Sequence, residues 1–473
     1  MITIRKIDEV HIRVDCEDHI AYELSDLFTF EVPGARFSPL YKKKLWDGKI
    51  RLFNVKKKTI YAGLRQHIID YLKQHDYEYN DEVVLDGQST KHFDRFLKEL
   101  NLKFEPREYQ KDAVKHAVES SRALLLSPTA SGKSFIIYLT ARWYDQRTLV
   151  VVPTTSLVYQ MRDDFASYGM DIDGIHCILG GRDKDSDAPV VVSTWQSIYK
   201  MPRDWYDQFD VVVVDEAHLA KAKSLTGIME KTTSSPYKFG FTGSLDGSNT
   251  NRLVLEGLFG PIHKVTTTDQ LIKDKHLSTI NIKCLMLQYP AEVRKLMKTA
   301  TYQLEMDYIV QNKKRNNFIK NLAESTKGNT LVLFQMVEKQ GKALHEIMKE
   351  SKKKVLYVDG DVKAEEREDI RKYAEENDNV VIIASYGTFS TGVNIKNLQH
   401  VVFASPSKSR VRNLQSIGRG LRKTDESTHV TIYDIVDDIK HRNRENYVLK
   451  HFKERLKIYT EEKFKFKLYK YDI

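Results

Sequence analysis

Two stretches of the chain repeat one unit: a short continuous run of β-branched and other apolar residues, a loop carrying polar residues, then a helical pattern. The first stretch places its runs at 123–126, 148–152, 190–192, 211–214 and 238–241; the second places them at 330–334, 355–358, 380–383, 401–403 and 430–433. A strand that is apolar at every position, not at alternate ones, is covered on both faces. Strands of this kind alternating with helices form parallel sheets. The pattern therefore predicts an α/β fold with two tandem domains, at 101–275 and 276–473, joined somewhere in 262–290 where no linker signal stands out. Residues 1–100 lack the rhythm and are expected to form a small N-terminal α+β domain. Roughly 150 residues per domain gives the same count of three for 473 residues.

Several classes are excluded at this level. No run approaches the ~18 apolar residues of a membrane span. The opening Met1–Asp8 carries charge where a secretory signal would be apolar. Cys16, Cys177 and Cys284 lie far apart with no CxxC pair, which excludes a disulfide framework and a cysteine-rich zinc module. A reducing, cytoplasmic setting without membrane contact is expected. Lys plus Arg exceeds Asp plus Glu by 75 to 65, a net charge of +10. Such an excess suits a polyanion, because neutralised phosphates release counterions. It serves solubility equally well, so the motifs must decide.

In open α/β sheets the chemistry collects at the carboxyl ends of the strands. The segment Ser127–Ser134 (Ser-Pro-Thr-Ala-Ser-Gly-Lys-Ser) follows a strand and opens a helical run, the context that a phosphate-binding loop requires. Backbone amides from Thr129, Ala130, Ser131 and Gly132 would face phosphate oxygens. Lys133 would add a cation, and the Ser134 hydroxyl would ligate Mg²⁺ beside ATP. The loop departs from the usual pattern at its first position, where Ser127 replaces glycine. The strand 211–214 runs into Asp215-Glu216-Ala217-His218. Asp215 is placed to hold Mg²⁺ and Glu216 to polarise an attacking water. Upstream, Phe104, Arg107 and Gln110 offer a ring, a cation and an amide suited to adenine, although Pro106 would also pass as an ordinary helix start.

Taken in order, these elements resemble those of superfamily 2 helicases and translocases. The likeness continues through Pro153–Gln160, Ser193–Ser197, Thr242–Ser244, Ser390–Asn394 and Gln415–Arg422. It extends to the UvsW branched-DNA helicases of tailed bacteriophages through 390–402, 415–423 and the N-terminal Phe37-Ser-Pro and Leu45–Leu52. The resemblance implies two RecA-like domains with ATP between them. Arg419 and Arg422 would reach the γ-phosphate, a role that suits a forked, permanently charged guanidinium, with Gln415 on the same segment. Gly392 and Asn394 match the ribose-contacting motif, where the later position is commonly Asp. His218, Thr242 and Ser244 match the segments that couple hydrolysis to domain movement. Thr154, Thr155, Ser193, Thr194 and Thr391 match contacts to the nucleic-acid backbone. The resemblance further implies remodelling of branched DNA, R-loops that contain RNA included, 3′-to-5′ polarity and a monomeric motor. An RNA helicase, the translocating subunit of a restriction system, or a clamp that binds ATP without turnover are the alternatives.

Around this motor, Arg36, Lys42, Lys43, Lys44, Lys49 and Arg51 interleave with Phe37, Tyr41, Trp46 and Phe53. Cations beside aromatics can grip phosphates and stack on bases, and Lys42, Lys43, Lys44 and Trp46 are the candidates here. A solvated hairpin around the Asp47-Gly48 turn, with its aromatics in the core, would look the same. At the C-terminus, Lys463–Ile473 alternates cation and apolar residue, as a packed edge strand with one basic face would.

Overall fold

A computed structural model describes the chain except for residues 33, 129–130, 181–183, 220–222, 244, 246–248, 278, 392–394, 396 and 407–428. The side chains of 223, 249–251, 364 and 389–391 are also outside the description. The chain divides into two compact units: Met1–Ser127 with Gly132–Val265, and Pro128–Ser131 with Thr266–Ile473.

The first unit holds the small domain and the first large sheet. Strands β1 (Ile2–Lys6), β2 (His11–Asp15), β3 (Thr29–Glu31), β4 (Lys49–Arg51), β5 (Thr59–Tyr61) and β6 (Tyr79–Asp81) belong to the small domain. Four of them form a mixed sheet in the order β5-β2-β1-β6, while β3 and β4 pair antiparallel on their own. Helices Asp18–Leu27 and Arg65–Gln74 bury Ile20, Leu24, Ile68 and Leu72 against Ile4, Ile12 and Val14. The helix that follows, Phe93–Glu99, packs elsewhere: Phe93 belongs to the core of the large sheet. The small domain's own core therefore ends before the boundary expected at residue 100.

The large sheet comprises β7 (Arg122–Leu126), β8 (Thr148–Val152), β9 (Ile175–Ile178), β10 (Val190–Thr194), β11 (Val211–Val214), β12 (Tyr237–Thr242) and β13 (Ile262–Lys264). Its order is β13-β7-β12-β11-β8-β10-β9, parallel throughout. Alternation sends successive residues to opposite faces. Val150, Val152, Val211 and Val213 enter one core with helices Glu108–Ser120 and Lys133–Tyr144. Leu149, Val151, Val212 and Val214 enter the other, with Trp205, Phe209 and Leu225.

Small domain and large sheet meet over buried charge. Arg122 of β7 and Lys238 of β12 both donate to the Glu9 carbonyl at 2.8 Å, and Lys238 also reaches the Thr232 carbonyl at 2.7 Å. The Glu9 amide donates to Thr233 at 3.0 Å. Burial, with Arg122 adding to it, holds the Lys238 ammonium well below its ordinary pKa. Tyr61 donates to Glu230, and a Cβ on Gly63 would stand 2.0 Å from the Glu256 carbonyl, so the two backbones touch there.

The second unit is built on β14 (Thr279–Gln288), β15 (Thr330–Phe334), β16 (Val355–Val358), β17 (Val381–Ser385), β18 (His400–Phe403), β19 (His429–Asp438) and β20 (Lys465–Asp472). Their order is β16-β17-β15-β18-β19-β14-β20, again parallel throughout. Helix Lys313–Ser325 brings Arg315 to Asp437 at 2.7 Å with both side chains fully buried, and Tyr289 donates to the same carboxylate. On the opposite face Arg455, from helix Tyr447–Glu461, pairs with Asp434 at 2.8 Å. The terminal strand β20 lies at the sheet edge as expected; all eight of its residues are exposed, although Phe466 meets Tyr459 and Tyr471 meets Phe318. Its alternation also breaks after Lys467, which puts Lys465, Lys467, Tyr469 and Tyr471 on one face and Phe466, Leu468 and Lys470 on the other. Both faces are thus mixed, where one basic face was expected. Among the described residues no helix is long and apolar enough to cross a membrane.

Removing one partner of a buried ion pair strands the other charge in the interior. Asp437→Ala should therefore destabilise the second unit by about 3–5 kcal/mol, read as a lowered urea midpoint of its unfolding transition. An unchanged midpoint would show that Arg315 finds another partner.

Candidate nucleotide site

Every residue of β11 is buried, so the first polar groups after it, Asp215 and Glu216, emerge together at the carboxyl edge of the sheet. β7 stands two places away and leads through its loop to Gly132 and helix Lys133–Tyr144. The two strand ends meet through side chains. Lys133 Nζ donates to Glu216 Oε1 at 2.8 Å and stands 3.9 Å from Asp215 Oδ1. That Asp215 oxygen also accepts the Glu216 amide at 2.9 Å. Glu216 adopts φ +51°, a left-handed conformation that costs a non-glycine residue about 1 kcal/mol or more. Strain of this kind persists only where surrounding contacts enforce it. A third strand end joins them: buried His218 stands 2.9 Å from Thr242 Oγ1 and 3.2 Å from Glu216 Oε2.

The electrostatics follow from burial and this geometry. Burial pushes the Asp215 carboxyl above its usual range; Lys133 opposes the rise and the neighbouring Glu216 charge adds to it. Burial acts upward on Glu216 too, but Lys133 and His218 outweigh it and hold that carboxyl below its usual range. Two buried carboxylates thus share one ammonium, an excess of negative charge that fits a divalent cation. Asp215 and the Ser134 hydroxyl are the groups that would hold Mg²⁺.

Around the loop, Gly132 has φ +80°, and a Cβ there would lie 2.5 Å from Gln110 Nε2. The other end of that amide, Gln110 Oε1, accepts the Arg107 amide at 2.9 Å and caps helix Glu108–Ser120. Gln110 is therefore wedged between helix cap and phosphate loop. Ser127, in the usual glycine position, is fully buried and its amide donates to Thr242. Ser131 is buried, its hydroxyl donating to the Pro128 carbonyl at 2.7 Å. Arg107 Nη1 donates to the Tyr109 hydroxyl at 2.8 Å. Phe104 is 55% exposed and meets Tyr168 edge-on at 6.3 Å. Tyr168 is a residue that motif reading missed: its hydroxyl lies 2.9 Å from Ser134 Oγ. It sits just past helix Thr155–Ser167 outside any motif, where an aromatic reads as core.

The nucleic-acid candidates separate. Thr154 caps helix Thr155–Ser167, and Thr155 is exposed. Thr194 shares a hydrogen bond with Ser197 at 2.9 Å. Ser193 and Thr194 are both buried at the end of β10, the Ser193 hydroxyl on the Ile178 carbonyl, because the strand is covered on both faces. Lys42, Lys43 and Lys44 are exposed beside Phe37, whereas Trp46 donates its indole N–H to the Lys49 carbonyl at 2.9 Å and is tied into the turn before β4. Thr129, Ala130, Ser244, Gly392, Asn394, Gln415, Arg419 and Arg422 lie outside the described residues, as does the Thr391 side chain.

Comparison with known proteins gives three family matches. Residues 1–81 match DNA helicase UvsW, N-terminal; 103–246 match the type III restriction enzyme, res subunit; 313–424 match the helicase conserved C-terminal domain. The ATP-dependent DNA helicase uvsW of Enterobacteria phage T4 is 38% identical, over 97% of either chain. The chain belongs to the UvsW family of superfamily 2 helicases. The crystal structure of T4 UvsW matches 100% of this chain and 99% of its own at a TM-score of 0.53 and 37% identity. The DNA 3′-5′ translocase XPB2 of Sulfurisphaera tokodaii is 26% identical over 68% of this chain and 80% of its own. Membership makes this UvsW relative an ATP-dependent DNA helicase, and its parallel sheets are tandem RecA-like domains.

Two outcomes follow from the site. Gly132→Ala places a Cβ against Gln110 on a left-handed backbone, and should weaken binding of a fluorescent ATP analogue by about 1–3 kcal/mol with the circular dichroism unchanged. Native affinity would show that the loop adjusts freely. Because Asp215 holds a proton at higher pH than an ordinary carboxyl, protons should compete with Mg²⁺ as pH falls below neutrality. The Mg²⁺ concentration that half-saturates analogue binding should rise accordingly, and a flat profile would contradict the raised Asp215.

Proposed function

We propose that the chain is a DEAH-box motor that couples ATP hydrolysis to remodelling of branched DNA. Fork regression, junction migration and unwinding of R-loops and D-loops, in replication, recombination and repair, are its reactions. The observation that carries this reading is the run of contacts from Lys133 through Glu216 and His218 to Thr242, in a chain of the UvsW family over nearly its whole length.

Lys133 neutralises Glu216. A triphosphate seated on the N-terminus of helix Lys133–Tyr144 offers that ammonium a more highly charged partner. Glu216 then loses its nearest counter-charge inside a buried site and becomes a stronger proton acceptor. It takes the proton of the attacking water at Oε1. Ser134 and Asp215 would hold Mg²⁺, which would neutralise phosphate charge there. His218 Nδ1 lies 3.2 Å from Glu216 Oε2 and 2.9 Å from Thr242 Oγ1, so a change at the carboxylate is felt at the end of β12, from which the Thr242–Ser244 segment leads on.

The remaining roles are assigned with this motor. Thr129, Ala130, Ser131 and Gly132 take the phosphates; Phe104, Arg107 and Gln110 the base; Gly392 and Asn394 the ribose. Arg419, Arg422 and Gln415 act on the γ-phosphate end. Thr154, Thr155, Thr194 and Thr391 follow the DNA backbone with 3′-to-5′ polarity. Exposed Lys42, Lys43 and Lys44, with Phe37 at 69% exposure, contact the branch. The motor acts as a monomer in the host cytoplasm.

Steady-state ATP hydrolysis with single-stranded DNA, linear duplex, a four-way junction and single-stranded RNA at fixed salt tests the substrate. DNA should stimulate most, with the junction unwound; stimulation by RNA alone would overturn the DNA assignment, and no turnover at all would make the protein a clamp. Glu216→Gln should lower hydrolysis by about 10² to 10⁴-fold while ATP still binds. Wild-type turnover in that variant would remove Glu216 from the reaction.

A further inference from the structure

Among the described residues, one face of the second unit's sheet is covered only in part. Helix Lys313–Ser325 lies over it toward the carboxyl ends of the strands, where Arg315 bonds Asp437 and Phe318 meets Tyr471 at 5.2 Å. Toward the amino ends the same face is formed by residues in register. Lys467 of β20 stands beside Lys283 of β14, which stands beside Tyr433 of β19; one step down, Lys465, Asn281 and Thr431 are aligned, with His400 of β18 next in line. Registered residues on paired strands share a face, and the contacts agree: Lys283 Nζ is 5.6 Å from the Tyr433 ring centroid, and His400 is 5.9 Å from it.

Lys465, Lys467 and Asn281 are exposed, and Lys283, Thr431 and Tyr433 are half-buried. None of the residues that these strands present here is acidic. Asp437 shares the face but lies at its far end, closed by Arg315, and Asp434 is on the opposite face with Arg455. Burial lowers the His400 pKa, and Lys353 and Lys283 lower it further against the opposing Lys327 carbonyl, the sign of a local positive field. Tyr469, two residues past Lys467 on the same face, is 37% exposed.

Lysines on an edge strand have a structural explanation, since they discourage edge-to-edge pairing. That explanation covers Lys465 and Lys467. It does not cover Lys283, which stands on β14 between two neighbours, nor its placement over an aromatic ring.

We propose that this open half-face binds single-stranded DNA, with Lys283, Lys465 and Lys467 on phosphates and Tyr433 and Tyr469 against bases. The proposal rests on the reading of the chain as a DNA motor and adds a surface separate from every residue assigned to that motor. Four strands at a spacing of about 4.8 Å make a platform roughly 14 Å across, room for a few nucleotides. A duplex keeps its base faces stacked and offers the tyrosines nothing; a single strand engages cations and rings together.

The test uses the full chain without nucleotide, binding fluorescently labelled oligothymidylate or a hairpin duplex of equal length over a salt series. The double variant Lys465→Gln/Lys467→Gln should bind the single strand several-fold more weakly, with a log–log salt slope shallower by about 1.4. The duplex should be much less affected, and hydrolysis without DNA unchanged. Both lysines are exposed, so an unchanged urea midpoint is expected, and Lys465→Arg/Lys467→Arg should restore binding. Lys283→Gln should act in the same direction. Native affinity and slope in the glutamine variants would overturn the proposal even if DNA stimulates hydrolysis as expected, and equal losses for duplex and single strand would overturn the single-strand assignment. Weakened single-strand binding in a protein whose hydrolysis ignores DNA would uphold this surface and overturn the motor reading instead.

Discussion

Burying both faces of a parallel sheet leaves polar chemistry one place to surface, the ends of the strands. β11 makes the constraint visible. Its four valines are fully buried, alternately in one core and the other, and the chain can present Asp215 and Glu216 only once those valines have ended. The same holds for β7 before its loop and for β12 up to Thr242. Three strands that are neighbours in the sheet therefore end in three sets of polar groups that are neighbours in space, and Lys133, Glu216, His218 and Thr242 connect them. The left-handed turn at Glu216 is the local cost of that convergence.

Charged side chains also enter the interior away from the site, and there they are hydrogen-bonded. Arg315 and Arg455 approach β19 from opposite faces and meet Asp437 and Asp434, three residues apart and so on opposite sides of the strand. Between the small domain and the first large sheet, two cations converge on the single carbonyl of Glu9. Ion pairs this deep add little to stability over apolar packing, yet removing one partner is severe. They act as fasteners for one arrangement more than as a source of stability.

The legibility of the fold in the sequence follows the same physics. Strands buried on both faces are apolar throughout, and the ten runs read from sequence all correspond to strands. β9, β13 and β14 were not read. β9 and β13 are short and lie at the two sheet edges, and β14, Thr-Ile-Asn-Ile-Lys-Cys-Leu-Met-Leu-Gln, alternates with polar residues in its first half, where every second residue is exposed or half-buried. The nucleotide residues were legible because they follow strands within contiguous motifs. Tyr168 was not, since its bond to Ser134 joins residues 34 apart with no motif at the far end. The burial of Ser193 and Thr194 was not legible either: a motif names the residues, but only the sheet decides how deeply they sit.

The fastening of the small domain has a mechanical meaning. Glu9 is gripped by cations from two strands of the first sheet, and Tyr61 and Gly63 lock against Glu230 and Glu256. Among the described residues these contacts close the seam from both sides. Carried with the first large sheet through that seam, the exposed stretch around Lys42–Lys44 would sweep an arc that grows with its distance from the pivot.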